Sequence, residues 1–192
     1  MDKDPFTKFG IWLGEAEATE PNDPNAMVVA TAAASGRPAA RVLLLKGWDE
    51  RGFMFYSNLE SRKADEMREN SQVSLLFYWK ILHRQVRIEG AVTPVTATEA
   101  DEYFASRHRL SKLGARVSEQ SRPLPSRDVF ETRLAAESAK FPGEDVPRPE
   151  NWSGWRLVPD YFEFWQDREF RLHDRLVFKR AGEGWETELL YP

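Results

Sequence analysis

The chain of 192 residues contains no cysteine, which excludes disulfides, thiolate catalysis and thiolate metal sites together. Histidine is scarce as well. His83, His108 and His173 show no i,i+4 spacing and no paired carboxylate motif, so no metal site is expected. The formal net charge of −4 leaves no surplus of positive charge for an extended nucleic-acid surface. No stretch approaches the roughly 18 apolar residues of a membrane span. Met1-Asp2-Lys3-Asp4-Pro5 lacks the apolar core of a signal peptide, so a cytoplasmic protein with no membrane partner is expected. Gly-rich phosphate loops are absent, both G-x-G-x-x-G and G-x-x-x-x-G-K-[ST], which disfavours Rossmann and P-loop nucleotide sites. There is no G-x-S-x-G elbow, and nothing supports a serine hydrolase.

What is present is aromatic and locally basic. Twelve Phe and seven Trp in a chain that is 41% hydrophobic are enough to bury a substantial core, and the length suits one domain over residues 1–192. Asp4-Pro5 reads as an N-cap and first-turn proline for a short helix over about 5–18, with Phe6, Phe9 and Leu13 on one face. Apolar, β-branched runs from Met27 to Ala33, Arg41 to Gly47 and Phe53 to Asn58, separated by turn residues, predict a three-stranded antiparallel meander. Ser61 caps a helix to about Asn70. Strands follow at Gln72 to Trp79 and Arg84 to Val95, and Thr96-Ala97-Thr98-Glu99 forms a capping box for a helix to about Arg109. Helical turns continue from Lys112 to Gln120 and from Ser126 to Lys140, and strands return from Trp155 onward. This order predicts an α+β fold around a closed or partly closed antiparallel barrel.

Basic residues recur in short clusters: Arg41 with Lys46, Arg62 with Lys63, Arg107 to Lys112, and Arg171 with Arg175. Arginine offers a planar fork and lysine a point charge, so such clusters suit phosphates, and their number suits two anionic ligands or one large one. Arg62 and Lys63 open a helix, where cations oppose the dipole unless an anion is seated there. The densest stretch is Glu163-Phe164-Trp165-Gln166 followed by Arg171-Leu172-His173-Asp174-Arg175. Read as a β-hairpin, it places Arg171, His173 and Arg175 on one face. The alternative is a solvated edge strand whose charges oppose aggregation.

In order along the chain, Asp23-Pro24-Asn25-Ala26-Met27, Arg41-Val42-Leu43-Leu44-Leu45-Lys46, Phe55-Tyr56-Ser57-Asn58, Ser61-Arg62-Lys63 and Arg84-Gln85-Val86 resemble the pyridoxine/pyridoxamine 5′-phosphate oxidase family. So do Tyr103-Phe104-x-Ser106-Arg107, Gln120-Ser121, Pro147-Arg148-Pro149, Glu163 to Gln166 and Arg171 to Arg175. The resemblance implies an FMN-binding split β-barrel that works as a homodimer, with flavin at the subunit interface. It also implies oxidation of pyridoxamine or pyridoxine 5′-phosphate to pyridoxal 5′-phosphate with O2 reduced to H2O2.

By the same resemblance, Arg41, Val42, Leu43, Leu44, Leu45, Lys46, Tyr56, Ser57, Arg62, Lys63, Gln85, Gln120, Ser121, Trp165 and Arg175 bind FMN. Lys46, Tyr103, Arg107 and Ser111 take the substrate phosphate. Arg171, Leu172 and His173 cover its ring, and Arg171 and His173 are the catalytic candidates. The sequence departs from the family at Arg116, where an aromatic is usual, and in its Leu189-Leu190-Tyr191-Pro192 ending. Two further readings stay open: an FMN oxidase acting on another ring, as in phenazine biosynthesis, and a non-catalytic module that binds flavin or pyridoxal phosphate.

Overall fold

The computed structural model describes residues 4–192. Helix α1 (Pro5–Thr19) begins as its sequence requires: the Asp4 carboxylate accepts from the backbone N–H groups of Phe6 and Thr7. Its buried face, Phe6, Phe9, Trp12, Leu13 and Ala16, plugs the hollow of a curled sheet. Phe9 packs edge-on against Phe53, Phe77 and Trp48 at 5.0, 5.1 and 5.3 Å. Each such pair adds about 0.5–1.5 kcal/mol beyond the area it buries.

The sheet is built from β1 (Ala26–Ala32), β2 (Pro38–Leu44), β3 (Gly47–Asp49), β4 (Gly52–Asn58), β5 (Gln72–Trp79), β6 (Arg84–Pro94), β7 (Trp152–Gln166), β8 (Asp174–Ala181) and β9 (Gly184–Leu189). Its order is β2-β1-β5-β6-β7-β4-β3, with β8 on β7 and β9 on β8. Every pairing is antiparallel. Strand β5 shows the period of two, burying Val73, Leu75, Phe77 and Trp79 in succession.

The expected meander is corrected here. β1 and β2 pair, but the third strand of the prediction, β4, pairs with β7 across the molecule. Leu45 and Lys46 make the crossing: the Leu45 N–H donates to the Asn25 carbonyl and the Lys46 N–H to the Met54 carbonyl, each at 2.9 Å. Phe53 and Phe55 are fully buried and find their neighbours on that far arm.

The sheet divides at β7. One edge of this 15-residue strand follows β6 from Trp155 to Gln166, while the other pairs first with β4 (Trp152 to Leu157) and then with β8 (Tyr161 to Gln166). The change of partner coincides with a bulge between Glu89 and Gly90. A Cβ at Gly90 would lie 2.0 Å from the Val158 carbonyl oxygen, so only glycine permits this close approach.

Helix α2 (Arg62–Glu69) connects β4 to β5. Between β6 and β7 lie α3 (Ala97–Ser106), α4 (Arg109–Val117) and α5 (Arg127–Lys140). The Thr96/Glu99 capping box of α3 is formed in full. The helix stops at Ser106 and not at Arg109, because Arg107 turns extended (φ −73°, ψ 148°) and His108 caps a new helix through Nδ1. Arg116, the departure from the family pattern, donates to Glu137 at 2.7 Å and to the Pro147 carbonyl at 2.8 Å, tying α4 to α5 and to the chain before β7.

Candidate active site

The main cavity, about 650 Å³, opens where the β2–β3 crossing, β4, α3, α4 and the start of β7 converge. The split of the sheet creates this junction, and the side chains there come from five distant segments. One wall is an aromatic ladder. Tyr56 of β4 stacks on Tyr103 of α3 at 4.2 Å and on Trp152 of β7 at 5.4 Å, with Phe104 edge-on to Trp152 at 4.9 Å. Burial pushes the Tyr56 hydroxyl up from its ordinary value, and the nearby Glu99 carboxylate adds to this.

Three polar groups face the ladder. Lys46 reaches in from the crossing, its ammonium 5.9 Å from the Tyr103 ring centre. Ser111 lines the cavity from α4. Arg107 lies with its guanidinium carbon 4.8 Å from the Trp152 ring centre, and its Nη1 is buried with no hydrogen-bond partner. Burial holds the Arg107 guanidinium below its ordinary value. A buried, unpartnered guanidinium nitrogen is costly and calls for an acceptor.

A basic cluster borders the cavity at the start of α2. The Lys63 ammonium donates to Gln120 Oε1 at 2.6 Å and to Ser61 Oγ at 3.0 Å, and Ser57 Oγ donates to the same Gln120 oxygen at 3.1 Å. Buried Glu66 holds two guanidiniums: Arg62 Nε donates to Oε1 at 2.7 Å and Arg41 Nη2 to Oε2 at 3.1 Å. Thr31 completes the knot, donating to Glu66 Oε2 at 2.5 Å and accepting from Arg41 at 2.6 Å. Lys63, by contrast, has only neutral oxygens as direct partners. Burial, and secondarily the Arg41 charge, push its ammonium down to about 8.

The hairpin segment requires a correction. Trp165 and Arg175 are paired across β7 and β8, but Arg171 is not in a strand. Glu169–Arg171 form a 3₁₀ turn in which Phe170 and Arg171 take φ of 56° and 63°. Strict alternation of Arg171, His173 and Arg175 on one face therefore fails, because the left-handed turn breaks the period. Arg171 and Leu172 are exposed. The His173 ring packs on Trp165 at 4.6 Å with Nδ1 2.9 Å from Asp167 Oδ1, and Arg175 Nε donates to Glu163 at 2.6 Å. Gln85 lies opposite Trp165 in the β6–β7 register. His173 and Arg175 border a separate hollow of about 430 Å³, beside Trp12 and Arg84.

The sequence-derived residues thus fall into two groups within one protomer. Leu43, Leu44, Lys46, Tyr56, Ser57, Tyr103, Arg107, Ser111 and Gln120 line the main cavity, Lys63 adjoins it through Gln120, and Arg41 and Arg62 gather on Glu66 of the same helix as Lys63. Leu45 points into the core, Val42 is exposed on β2, and Ser121 is exposed with φ 72°. Gln85, Trp165, Arg171, Leu172, His173 and Arg175 line no part of the main cavity. Sequence reasoning missed Glu66 and Trp152. An acid four residues after Arg62 was a legible signal for the first; Trp152 had only its place after a proline-rich connection.

Comparison with known proteins matches two families along the chain. A family described as "Pyridoxamine 5′-phosphate oxidase" matches residues 13–140, and one described as "Pyridoxine 5′-phosphate oxidase C-terminal dimerisation region" matches residues 152–192. The chain is 60% identical over 192 residues to the pyridoxine/pyridoxamine 5′-phosphate oxidase of Gluconobacter oxydans (strain 621H), covering 100% of this chain and 96% of that protein. It is 55% identical to the protein of the same name from Granulibacter bethesdensis, covering 98% and 91%. Among solved structures, PhzG from Burkholderia lata 383 in complex with tetrahydrophenazine-1-carboxylic acid superposes with a TM-score of 0.94 at 33% identity, covering 99% and 93%. A pyridoxamine 5′-phosphate oxidase-related, FMN binding protein from Nostoc punctiforme has a TM-score of 0.80 at 18% identity, covering 100% of each chain, and shares the fold.

Proposed function

This chain belongs to the pyridoxamine 5′-phosphate oxidase family, and from that membership we propose that it oxidises pyridoxamine or pyridoxine 5′-phosphate to pyridoxal 5′-phosphate, using FMN and passing the electrons to O2. Residues 152–192 are the family's dimerisation region, and the protein acts as a homodimer. Exposed Phe170, Leu172, Leu189 and Tyr191 lie in that region and supply apolar surface for the contact.

The observation that carries the reading is a pair of separately built cationic clusters, one lining the cavity at Arg107 and Lys46 and one meeting its edge where Lys63 bonds Gln120. Lys63 is a buried ammonium with only neutral direct partners and a depressed proton affinity, which fits a flavin phosphate as the missing counter-charge. Arg41 and Arg62 flank it, held in place by Glu66. Arg107, with its buried unpartnered nitrogen, fits a second phosphate together with Lys46, Tyr103 and Ser111. When bound, FMN supplies the electron-accepting ring that amino-acid side chains lack.

The chain's own residues then bind and orient. Arg107 and Lys46 fix the substrate by its phosphate, Tyr56 and Tyr103 wall the cavity, and Gln120 ties Lys63 to Ser57 at the cavity edge. Trp165, Arg175, Arg171 and His173 act on the cavity of the partner subunit, which accounts for their distance from the cavity of their own. Arg171 orients the substrate ring, and His173 holds or takes a proton at its imidazole.

Oxidation of an unphosphorylated ring acid is the second reading, favoured by the 0.94 superposition on the phenazine-biosynthesis protein. The test compares H2O2 release from pyridoxamine 5′-phosphate, unphosphorylated pyridoxamine and a tetrahydrophenazine carboxylate. Turnover of the first at least a hundredfold more efficient than of the other two supports the proposal, and the reverse order rejects it.

A further inference from the structure

We infer that Trp152, assisted by Phe104, is a positioning residue that holds Arg107 ready for the substrate phosphate by its aromatic face alone. The inference rests on the reading of Arg107 as a phosphate-binding group and assigns the residue that orients it.

The other half-buried arginines each have an acceptor: Arg41 is held by Glu66, Arg84 by Glu15, Arg87 by Glu163, Arg116 by Glu137, Arg148 by Asp101 and Arg175 by Glu163, while Arg109 donates to Ser138 and to the Phe141 and Gly143 carbonyls. Buried Arg156 follows the same rule, with Glu99 at 2.6 Å and Asp49 at 3.0 Å. Arg107 breaks it. Among the described residues its side chain has no carboxylate within ion-pair distance, and Nη1 has no acceptor. Its guanidinium carbon instead sits 4.8 Å from the Trp152 ring centre and 5.5 Å from that of Phe104.

The bracket is itself rigid. Trp152 is 5% exposed and Phe104 1%, the two rings meet edge to face at 67°, and Trp152 is also stacked on Tyr56 at 8°. An aromatic face attracts a guanidinium without donating an oxygen to it, so the N–H groups stay free for a ligand. A carboxylate in the same place would occupy those N–H groups, neutralise the charge and repel an incoming phosphate dianion. Trp152 therefore fixes the direction of the cation and leaves its charge unspent, which is pre-organisation for an anion.

The test uses the FMN-loaded dimer and inorganic phosphate as a competitive inhibitor against pyridoxamine 5′-phosphate. Trp152→Leu is expected to raise both the inhibition constant of phosphate and KM about three- to tenfold, with kcat changed less than twofold, and Trp152→Phe to restore most of the loss. Fluorinated tryptophans placed at 152 keep the shape of the ring while weakening its face, so the inhibition constant should climb stepwise with fluorination. This series decides the matter alone should Trp152→Leu fail to fold. A flat series, or a folded Trp152→Leu with unchanged phosphate inhibition, overturns the positioning role. Arg107→Ala with unchanged phosphate inhibition would instead overturn the phosphate reading beneath it.

Discussion

Lys63 and Gln120, 57 residues apart in the chain, meet at 2.6 Å and join the start of α2 to the segment after α4. Gln120 also accepts from Ser57, so one amide oxygen fastens three segments at the cavity edge. The arrangement leaves the ammonium buried and without a directly bonded anion, and with Lys63 proposed to meet the flavin phosphate, flavin binding is expected to depend on proton uptake.

Lys63 titrates near 10.5 in an unfolded chain and at about 8 when folded. Between those values the unfolded chain holds a proton that the flavin-free folded protein has released, so flavin-free stability rises with pH across the window. A bound phosphate returns the proton. FMN affinity is expected to hold below about pH 8 and to weaken above it, by up to about tenfold per pH unit for one linked proton. Fluorescence titration of flavin-free protein at several pH values measures this, and Lys63→Arg should flatten the profile.

Glu66 carries the opposite sign. Burial alone would raise its carboxyl, but bonds from Thr31, Arg62 and Arg41 hold it below 4.5. Its contribution to stability is present above pH 4.5 and is lost as pH falls through the lower folded value. Glu66→Gln should cost about 1.5–3 kcal/mol at pH 7, the range for one charge-assisted hydrogen bond. Urea unfolding should also show a shallower acid limb in the variant.

Replacing Arg107 with Ala should raise KM for pyridoxamine 5′-phosphate by roughly ten- to a hundredfold, from the loss of about 1.5–3 kcal/mol of charge-assisted bonding. Flavin content should stay at the wild-type level, since Arg107 makes no contact with Lys63, Arg62 or Arg41. Steady-state kinetics together with the visible spectrum separates the two effects.

Arg171→Leu should weaken substrate binding and slow anaerobic flavin reduction together, because a misplaced ring both binds less well and reacts more slowly. His173→Asn should slow reduction about a hundredfold if the ring takes a proton, the lower end of the range for general acid–base catalysis, with a changed pH profile. Stopped-flow reduction across pH reads both. A wild-type rate and profile in His173→Asn would exclude proton transfer there.

Mixing the Arg107→Ala and Arg175→Ala variants, exchanging subunits and assaying at a substrate concentration far below the raised KM should restore activity. A mixed dimer has one site with both defects and one with neither, so random exchange returns about one quarter of wild-type activity. No recovery after verified exchange would assign Arg175 to the cavity of its own subunit.

The elements governed by local chemistry were legible in the sequence. Asp4-Pro5 gave the start of α1, Thr96 and Glu99 gave α3, and alternation gave β5 and β6. Strand partners were less so: nothing in Phe53 to Asn58 says that its neighbour lies a hundred residues on, because alternation encodes a face and not a partner. The turn at Phe170 and Arg171 was hidden for another reason. Left-handed backbone usually announces itself through glycine or asparagine, and here it falls on a phenylalanine and an arginine. The basic clusters could be read as phosphate sites; Glu66 left a local signal in its i,i+4 spacing from Arg62, whereas Trp152 became evident only from contacts between distant segments.

Strand β7 begins at Trp152, beside one cavity, and ends at Gln166, next to Trp165 of the segment proposed to serve the other. If Trp165 serves the partner's site, a single hydrogen-bonded strand is shared between the two sites of the dimer, and a shift of its first residues on phosphate entry is expected to reach the second site. A half-loaded dimer should show, in its second site, a spectrum or an affinity distinct from that of the empty one.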